Sequence, residues 1–314
     1  MIVGVSVQRV GVVAVVGPTA AGKSDLAVAL ARRLRGEVVN ADSMQLYRGM
    51  DIGTAKLSAA ERGGVPHHLL DVLEITEIST VAEFQTSARR AIQDCLDRDV
   101  VPVLAGGSAL YVRAVLDAFV FPGTDAAVRA GLEADLARLG SDALHTRLTA
   151  VDPAAAAVVL PGNGRRIVRA LEVVHLTGRP YSAHLPGHTY VHEPTTTVGL
   201  DVPRAELDQR IEARVDGMWS AGFVDEVRCL ERHGLRHGLT ASRALGYRQV
   251  LALLAGECTE RQARDETIRA TRRFARRQLR SFGQDPRVHW LPYDAADLVE
   301  RALALLPGDA PITR

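Results

Sequence analysis

The chain has 314 residues, 47% of them apolar and 24% charged, with a net charge of +1 at pH 7. That length supports a buried core in two domains or in one domain with an insertion, and the near-neutral balance excludes a globally basic coat, confining any nucleic-acid surface to local patches. Cys95, Cys229 and Cys258 stand far apart, without a CxxC pair or a His at ligand spacing; this argues against a disulfide framework or a zinc site and points to reduced thiols in the cytoplasm.

Residues 10–16 are a β-branched apolar run with the character of a parallel strand buried on both faces. The apolar segment before it lacks a basic start and runs straight into a glycine-rich loop, so it reads as the approach to a first strand rather than a signal peptide, and no membrane span is expected. The loop is GPTAAGKS at 17–24, a complete GxxxxGKS, and Leu26, Leu30 and Leu34 follow at helical spacing. Strand, loop and helix in this order form a phosphate-binding P-loop, which implies a nucleotide such as ATP or another phosphorylated ligand. The expected cradle is Gly17, Pro18, Thr19, Ala20, Ala21, Gly22, Lys23 and Ser24. In it Gly17 and Gly22 permit close backbone approach, Lys23 reaches the terminal phosphates, and Ser24 holds Mg²⁺ at a helix N-terminus that favours anions. The chain carries 36 Arg against two Lys, Lys23 and Lys56, so where Lys persists a compact ammonium is the expected requirement.

Further short runs at 37–41, 68–72, 100–105, 197–202 and 288–291 read as strands with helical patterns between them. The fold class is therefore α/β, a P-loop NTPase-like core with a mainly parallel sheet. From about residue 122 the strands stop, and Ala-rich helices are predicted over 125–139, 154–159 and 165–176. The expected organisation is a first part of the core at 1–121, a helical insertion domain at 122–196 and a second part of the core at 197–314, with 307–314 frayed. After Pro203 a helix carries Leu207, Ile211, Val215 and Met218 on one face. A last helix over 264–282 places Arg269, Arg272, Arg273, Arg276, Arg277 and Arg280 on one stripe. Such a stripe needs a polyanion or partner acids to neutralise it.

The loop's purpose depends on the rest of the site. No NKxD stands in the chain for guanine recognition, and the run 100–104 leads into Ala105-Gly106-Gly107 rather than a Walker-type acid. Two alternatives to group transfer with diphosphate as leaving group remain open at this point: a P-loop small-molecule kinase and a non-catalytic RNA-binding protein with a nucleotide switch. Asp42 lies just past a strand end beside the loop, where open α/β sheets bind ligands. It suits a general base, a Mg²⁺ partner or a helix cap.

The segments GPTAAGKS at 17–24, NADSMQLYRGMDIGTAK at 40–56, GVPHHLLDV at 64–72, LAGGSALYVRAVL at 104–116, RRIVRALEV at 165–173, GFVDEV at 222–227 and RALGYRQV at 243–250 resemble the tRNA dimethylallyltransferase (tRNA isopentenyltransferase) family, in the family's order over nearly the whole chain. GGSALY stands where GGTGLY is usual, and no zinc-finger pattern follows, so the resemblance is to the bacterial form. It implies transfer of a dimethylallyl group from dimethylallyl diphosphate to N6 of the adenosine 3′ to the anticodon of tRNA, with Mg²⁺ and with diphosphate released. It further implies Asp42 as general base, with Thr19, Lys23 and Arg214 acting on the reacting groups. Contacts to tRNA are implied for Asp42, Ser43, Met44 and Gln45, for Ser108 and Arg129, for Arg165, Arg166 and Arg169, and for Arg243, Gly246, Tyr247 and Arg248. The arginine stripe would then track phosphates, and a cytoplasmic monomer is expected.

Overall fold

The computed structural model describes residues 11–181 and 187–307; the expectations for residue 10, for the segment before it and for 308–314 lie outside them. β1 (Val12–Val16) is buried along its whole length. Its side chains alternate as the strand period demands: Val13 and Val15 enter one apolar cluster, and Val12, Ala14 and Val16 enter another. β2 (Glu37–Asn40), β3 (His67–His68), β4 (Pro102–Gly106), β5 (Thr195–Asp201) and β6 (Val288–Pro292) complete a sheet in the order β3-β2-β4-β1-β5-β6, every pairing parallel. α1 (Lys23–Leu34) and α13 (Leu298–Ala304) supply the first cluster. α3 (Val81–Asp97) and α4 (Ala109–Leu116) supply the second. Between these elements, α2 (Ala59–Arg62) is a single turn closed by a capping box of Ser58 and Glu61.

The strand expected over 68–72 shrinks to the pair His67–His68. Leu69 and Asp71 take φ of 61° and 56°, a left-handed conformation that no strand continues. Polar contacts hold this bend: the Asn40 amide donates to the Leu69 carbonyl at 2.9 Å, and the Lys56 ammonium meets Asp71 at 2.5 Å. That ammonium, 2% exposed, also bonds Asp51 and the Tyr47 carbonyl. Three N–H groups on one atom meet three acceptors from different directions, which a planar guanidinium does not offer, and this accounts for Lys at 56.

Residues Asp117–Thr189 form a compact helical unit, whereas the sequence places the insertion at 122–196; Thr195 and Thr196 already pair with β1. The unit contains α5 (Ala126–Leu139), α6 (Ser141–Val151), α7 (Pro153–Val158) and α8 (Gly164–Thr177) around Leu132, Leu144, Leu148 and Ile167. Its polar centre is Glu172, fully buried, which pairs with Arg129 at 2.5 Å and Arg169 at 2.8 Å and accepts the Asp125 amide. Burial pushes this carboxyl up, but the two guanidiniums more than offset it and hold it below its ordinary value.

The C-terminal part of the core adds α9 (Arg204–Ser220), α10 (Phe223–Arg232), α11 (Tyr247–Leu254) and α12 (Glu260–Phe282), with α12 packed on α9 and α11. A third apolar cluster gathers Tyr47, Met50, Phe223, Val227 and Tyr247. At its edge the Glu226 carboxylate accepts the amides of Asp51, Ile52 and Gly53 and the Tyr247 hydroxyl. Among the described residues no helix is long and apolar enough to cross a membrane.

Although sequence spacing offers Cys95 no ligand partner, the fold brings Glu37, His68 and Cys95 within 4.8 Å of one another. Arg98 already grips Glu37 at 2.8 and 2.7 Å. Burial and the Glu37 charge push the Cys95 thiol up to about 12, so it stays protonated.

Candidate active site

The loop 17–24 leaves the C-terminal end of β1 and turns into α1. Gly22 caps the helix at φ 95°, where a side chain is strained, and Ala20 also takes positive φ, at 64°. The curl leaves the amides of Ala20, Gly22, Lys23 and Ser24 without a protein acceptor among the described residues, and donors of this kind at a helix start gather anionic oxygens. The Lys23 ammonium rests on the Pro18 carbonyl at 2.6 Å. Burial, together with the nearby Arg214 guanidinium, lowers its pKa to about 7 against the upward pull of Asp42.

Asp42 follows β2, the strand next but one to β1. Its backbone is locked by Asn40, whose side-chain oxygen accepts the Asp42 amide and whose NH₂ donates to the Asp42 carbonyl, each at 2.9 Å. One carboxylate oxygen accepts the Met44 amide at 2.9 Å; the other is left for a reacting group. Gln45 is tied to the Thr54 carbonyl, and burial pushes the Tyr111 hydroxyl pKa up, with the Asp42 charge adding to the shift.

From the C-terminal helices, Arg214 donates to the Thr19 hydroxyl at 3.5 Å, and Arg210 donates to the Ala20 carbonyl at 2.8 Å while stacking over Tyr293. The loop, the turn after β2 and α9 open on one cavity of about 1090 Å³, lined by Thr19, Lys23, Ser24, Asp42, Ser108, Arg214 and Arg243 among others. Gly17, Pro18 and Ala21 belong to the loop but do not line the cavity. The arrangement places a cation-rich anion cradle and a carboxylate on the same space.

The family model of IPP transferase matches residues 45–285. The chain belongs to the IPP transferase family. Relatives of this family member include tRNA dimethylallyltransferases of Thermobifida fusca, 64% identical over 94% of each chain, and of Streptomyces avermitilis, 63% identical over 96% of this chain and 97% of that one. Among solved structures it is similar to the tRNA isopentenylpyrophosphate transferase of Bacillus halodurans, with 40% identity, a TM-score of 0.69 and 94% of both chains covered. It is also similar to a eukaryotic dimethylallyltransferase studied acting on tRNA, with 25% identity, a TM-score of 0.80 and 94% of this chain and 78% of that chain covered. The P-loop NTPase-like core expected from the loop and strand order is the fold of this family.

The residues implied for RNA contact divide sharply in this chain. Ser43, Met44, Gln45, Ser108, Arg243 and Gly246 line the cavity, and Arg248 is exposed. Tyr247 departs from the expectation: it is fully buried, its ring set edge-on against Phe223 and its hydroxyl given to Glu226, so its side chain belongs to the core and does not line the cavity. Gly246, at φ 84°, has no room for a side chain beside Phe223. In the helical unit Arg165 and Arg166 are exposed, while Arg129 and Arg169 converge on Glu172, and Arg169 also holds the carbonyls of Pro122 and Gly123. The α12 stripe is partly neutralised by protein carboxylates: Arg269 and Arg273 pair with Glu266 of the same helix, and Arg272 with Glu212 of α9. Arg276, Arg277 and Arg280 are exposed and have no ion pair among the described residues. Gln278, Arg210 and Asn40 are site residues whose roles the sequence did not announce.

Proposed function

We propose that the chain transfers a dimethylallyl group from dimethylallyl diphosphate to N6 of the adenosine immediately 3′ of the tRNA anticodon, forming N6-(dimethylallyl)adenosine and releasing diphosphate. The observation that carries this reading is the shared cavity of cradle and Asp42, in a family whose relatives act as tRNA dimethylallyltransferases. The exocyclic amine attacks the allylic carbon, and the carbon–oxygen bond breaks with its electron pair going to diphosphate. The free oxygen of Asp42 takes the amine proton as the new bond forms. The loop amides, Lys23 and Arg214 face the charge that builds on the leaving group, and one well-placed donor of this kind contributes roughly 3–4 kcal/mol. An adenine stacked in the anticodon loop must be turned out to reach the cavity.

The Ser24 hydroxyl lines the same cavity and has no hydrogen-bond partner among the described residues, a hard oxygen donor that suits Mg²⁺. Bound there, the ion would offset charge on the departing diphosphate. A nucleotide is not required, since the cradle serves diphosphate itself, and nothing in the site favours the kinase or the nucleotide-switch reading. We further propose a cytoplasmic monomer. Incubation with unmodified tRNA, Mg²⁺ and dimethylallyl diphosphate, followed by nucleoside mass analysis, is expected to show a five-carbon gain on that one adenosine; RNA of unchanged mass would overturn the reading.

A Lys23 pKa of about 7 has a consequence for binding. At about pH 8 most of the free protein carries a neutral amine, and an incoming diphosphate restores the ammonium, so binding is predicted to take up a proton that Lys23→Met does not. Near pH 5 the ammonium is already charged, and the two proteins should agree. Calorimetry in buffers of different ionisation enthalpy measures this; equal uptake by both proteins at about pH 8 would contradict it.

Replacing Arg276, Arg277 and Arg280 together with Gln is expected to flatten the salt dependence of tRNA binding, by about 0.7–0.9 slope units per lost phosphate contact. Fluorescence anisotropy across a salt series reads the slope. An unchanged slope would return these three arginines to an ordinary solvated face.

A further inference from the structure

Gln278 sits within the arginine-rich run of α12 yet is buried, at 6% exposed. Both ends of its amide are used at long sequence separation: Oε1 accepts the Thr19 amide at 2.9 Å, and Nε2 donates to the Gly107 carbonyl at 2.8 Å. The orientation is unambiguous, because a backbone N–H only donates and a carbonyl only accepts. The two bonded loops leave β1 and β4, which are neighbours in the sheet. Gly107 is matched to this side chain, since a Cβ there would stand 2.4 Å from Nε2. Thr19 is thereby held twice, at its amide by Gln278 and at its hydroxyl by Arg214.

We infer that Gln278 is a positioning residue that fixes the Thr19 end of the phosphate loop against the turn after β4, preorganising the diphosphate cradle. The inference rests on the diphosphate-transfer reading above. Gln278 occupies the Thr19 amide and holds the loop so that the amides of Ala20, Gly22, Lys23 and Ser24 stay free for the anion. A cradle held in the binding geometry loses less freedom when the ligand arrives. The same helix presents Arg276 and Arg280 outward, while Arg277, over the Phe274 ring, lines the cavity beside Gln278, so one element carries exposed cations on one face and the loop's brace on the other.

Gln278→Leu keeps the bulk and removes both polar ends. It is expected to raise the dissociation constant for inorganic diphosphate and the KM for dimethylallyl diphosphate about tenfold, while leaving the dissociation constant for tRNA within about twofold. A residue serving only to stabilise the fold would lower the folded fraction without this split. Amide exchange adds a reading on the unmodified protein: the Thr19 amide should be protected, and Gln278→Glu, which keeps an acceptor there, should retain that protection. A Thr19 amide exchanging as a free loop in the unmodified protein overturns the inference even if Gln278→Leu does not fold. Unchanged diphosphate affinity in Gln278→Leu does the same. A wild-type protein that binds diphosphate and prenylates nothing would sink the functional reading instead, with the diphosphate and exchange measurements still deciding the role of Gln278.

Discussion

Asp42→Ala is expected to lower the rate of prenyl transfer by about a hundred- to ten-thousand-fold, the range for losing a positioned general base, and to leave tRNA affinity within about twofold. In barrier terms that is about 3–5 kcal/mol. The alanine variant has an ambiguity, because one Asp42 oxygen also accepts the Met44 amide and shapes the turn after β2. Asp42→Asn resolves it: the side-chain carbonyl still accepts the Met44 amide, while the group loses its capacity to take a proton. Single-turnover kinetics at saturating donor and tRNA should therefore show nearly the same loss for both variants. If the asparagine variant turned over near the wild-type rate, the carboxylate would be a turn-former and the proton would go elsewhere.

Glu226→Ala is expected to destabilise the protein by about 1–3 kcal/mol, the range for leaving hydrogen-bonding groups without their acceptor. Three consecutive amides, Asp51, Ile52 and Gly53, and the buried Tyr247 hydroxyl share this carboxylate, and without it each must find another acceptor or lose its bond. Those amides begin the segment in which Thr54 accepts the Gln45 side chain and Lys56 braces Tyr47 and Asp71, so the damage should spread toward the cavity. Urea unfolding followed by circular dichroism measures the loss, and Glu226→Gln, which keeps one acceptor oxygen, should fall between the two. A midpoint unchanged in the alanine variant would show that water replaces the carboxylate at no cost.

What could be read from the chain was what local chemistry imposes. The phosphate loop is legible because its backbone needs specific residues: Gly22 must take a left-handed turn, and Lys23 and Ser24 must follow it at the start of a helix. The position of Asp42 was legible because open α/β sheets gather ligand groups just past their strand ends, and the structure sets it on the cavity that the loop lines; its chemical role, as base, Mg²⁺ partner or helix cap, was not fixed by the residue alone. The burial of Tyr247 was not legible because RALGYRQV is contiguous in sequence but runs from a turn into a helix, so Arg243 and Arg248 are exposed while Tyr247 turns into the core. Partners distant in the chain were out of reach. Gln278 bonds residues 259 and 171 positions away, and nothing local marks it except a neutral amide amid arginines. The arginine stripe reads as unneutralised on its own helix because Glu212, the partner of Arg272, comes from α9, although Glu266, one turn before Arg269, could have been counted. The strand expected at 68–72 failed for a related reason, since the Asn40 and Lys56 contacts that bend it come from other segments.

We propose that the loop 17–24 receives a departing diphosphate rather than passing on a phosphoryl group. A rapid-quench time course with anticodon stem-loop RNA, dimethylallyl diphosphate and added ATP tests it most directly, with diphosphate, prenylated adenosine, ADP and orthophosphate counted in the same samples. The structure predicts one diphosphate for each prenylated adenosine, with ATP left intact. ADP accumulating while the RNA gains no prenyl group would contradict it.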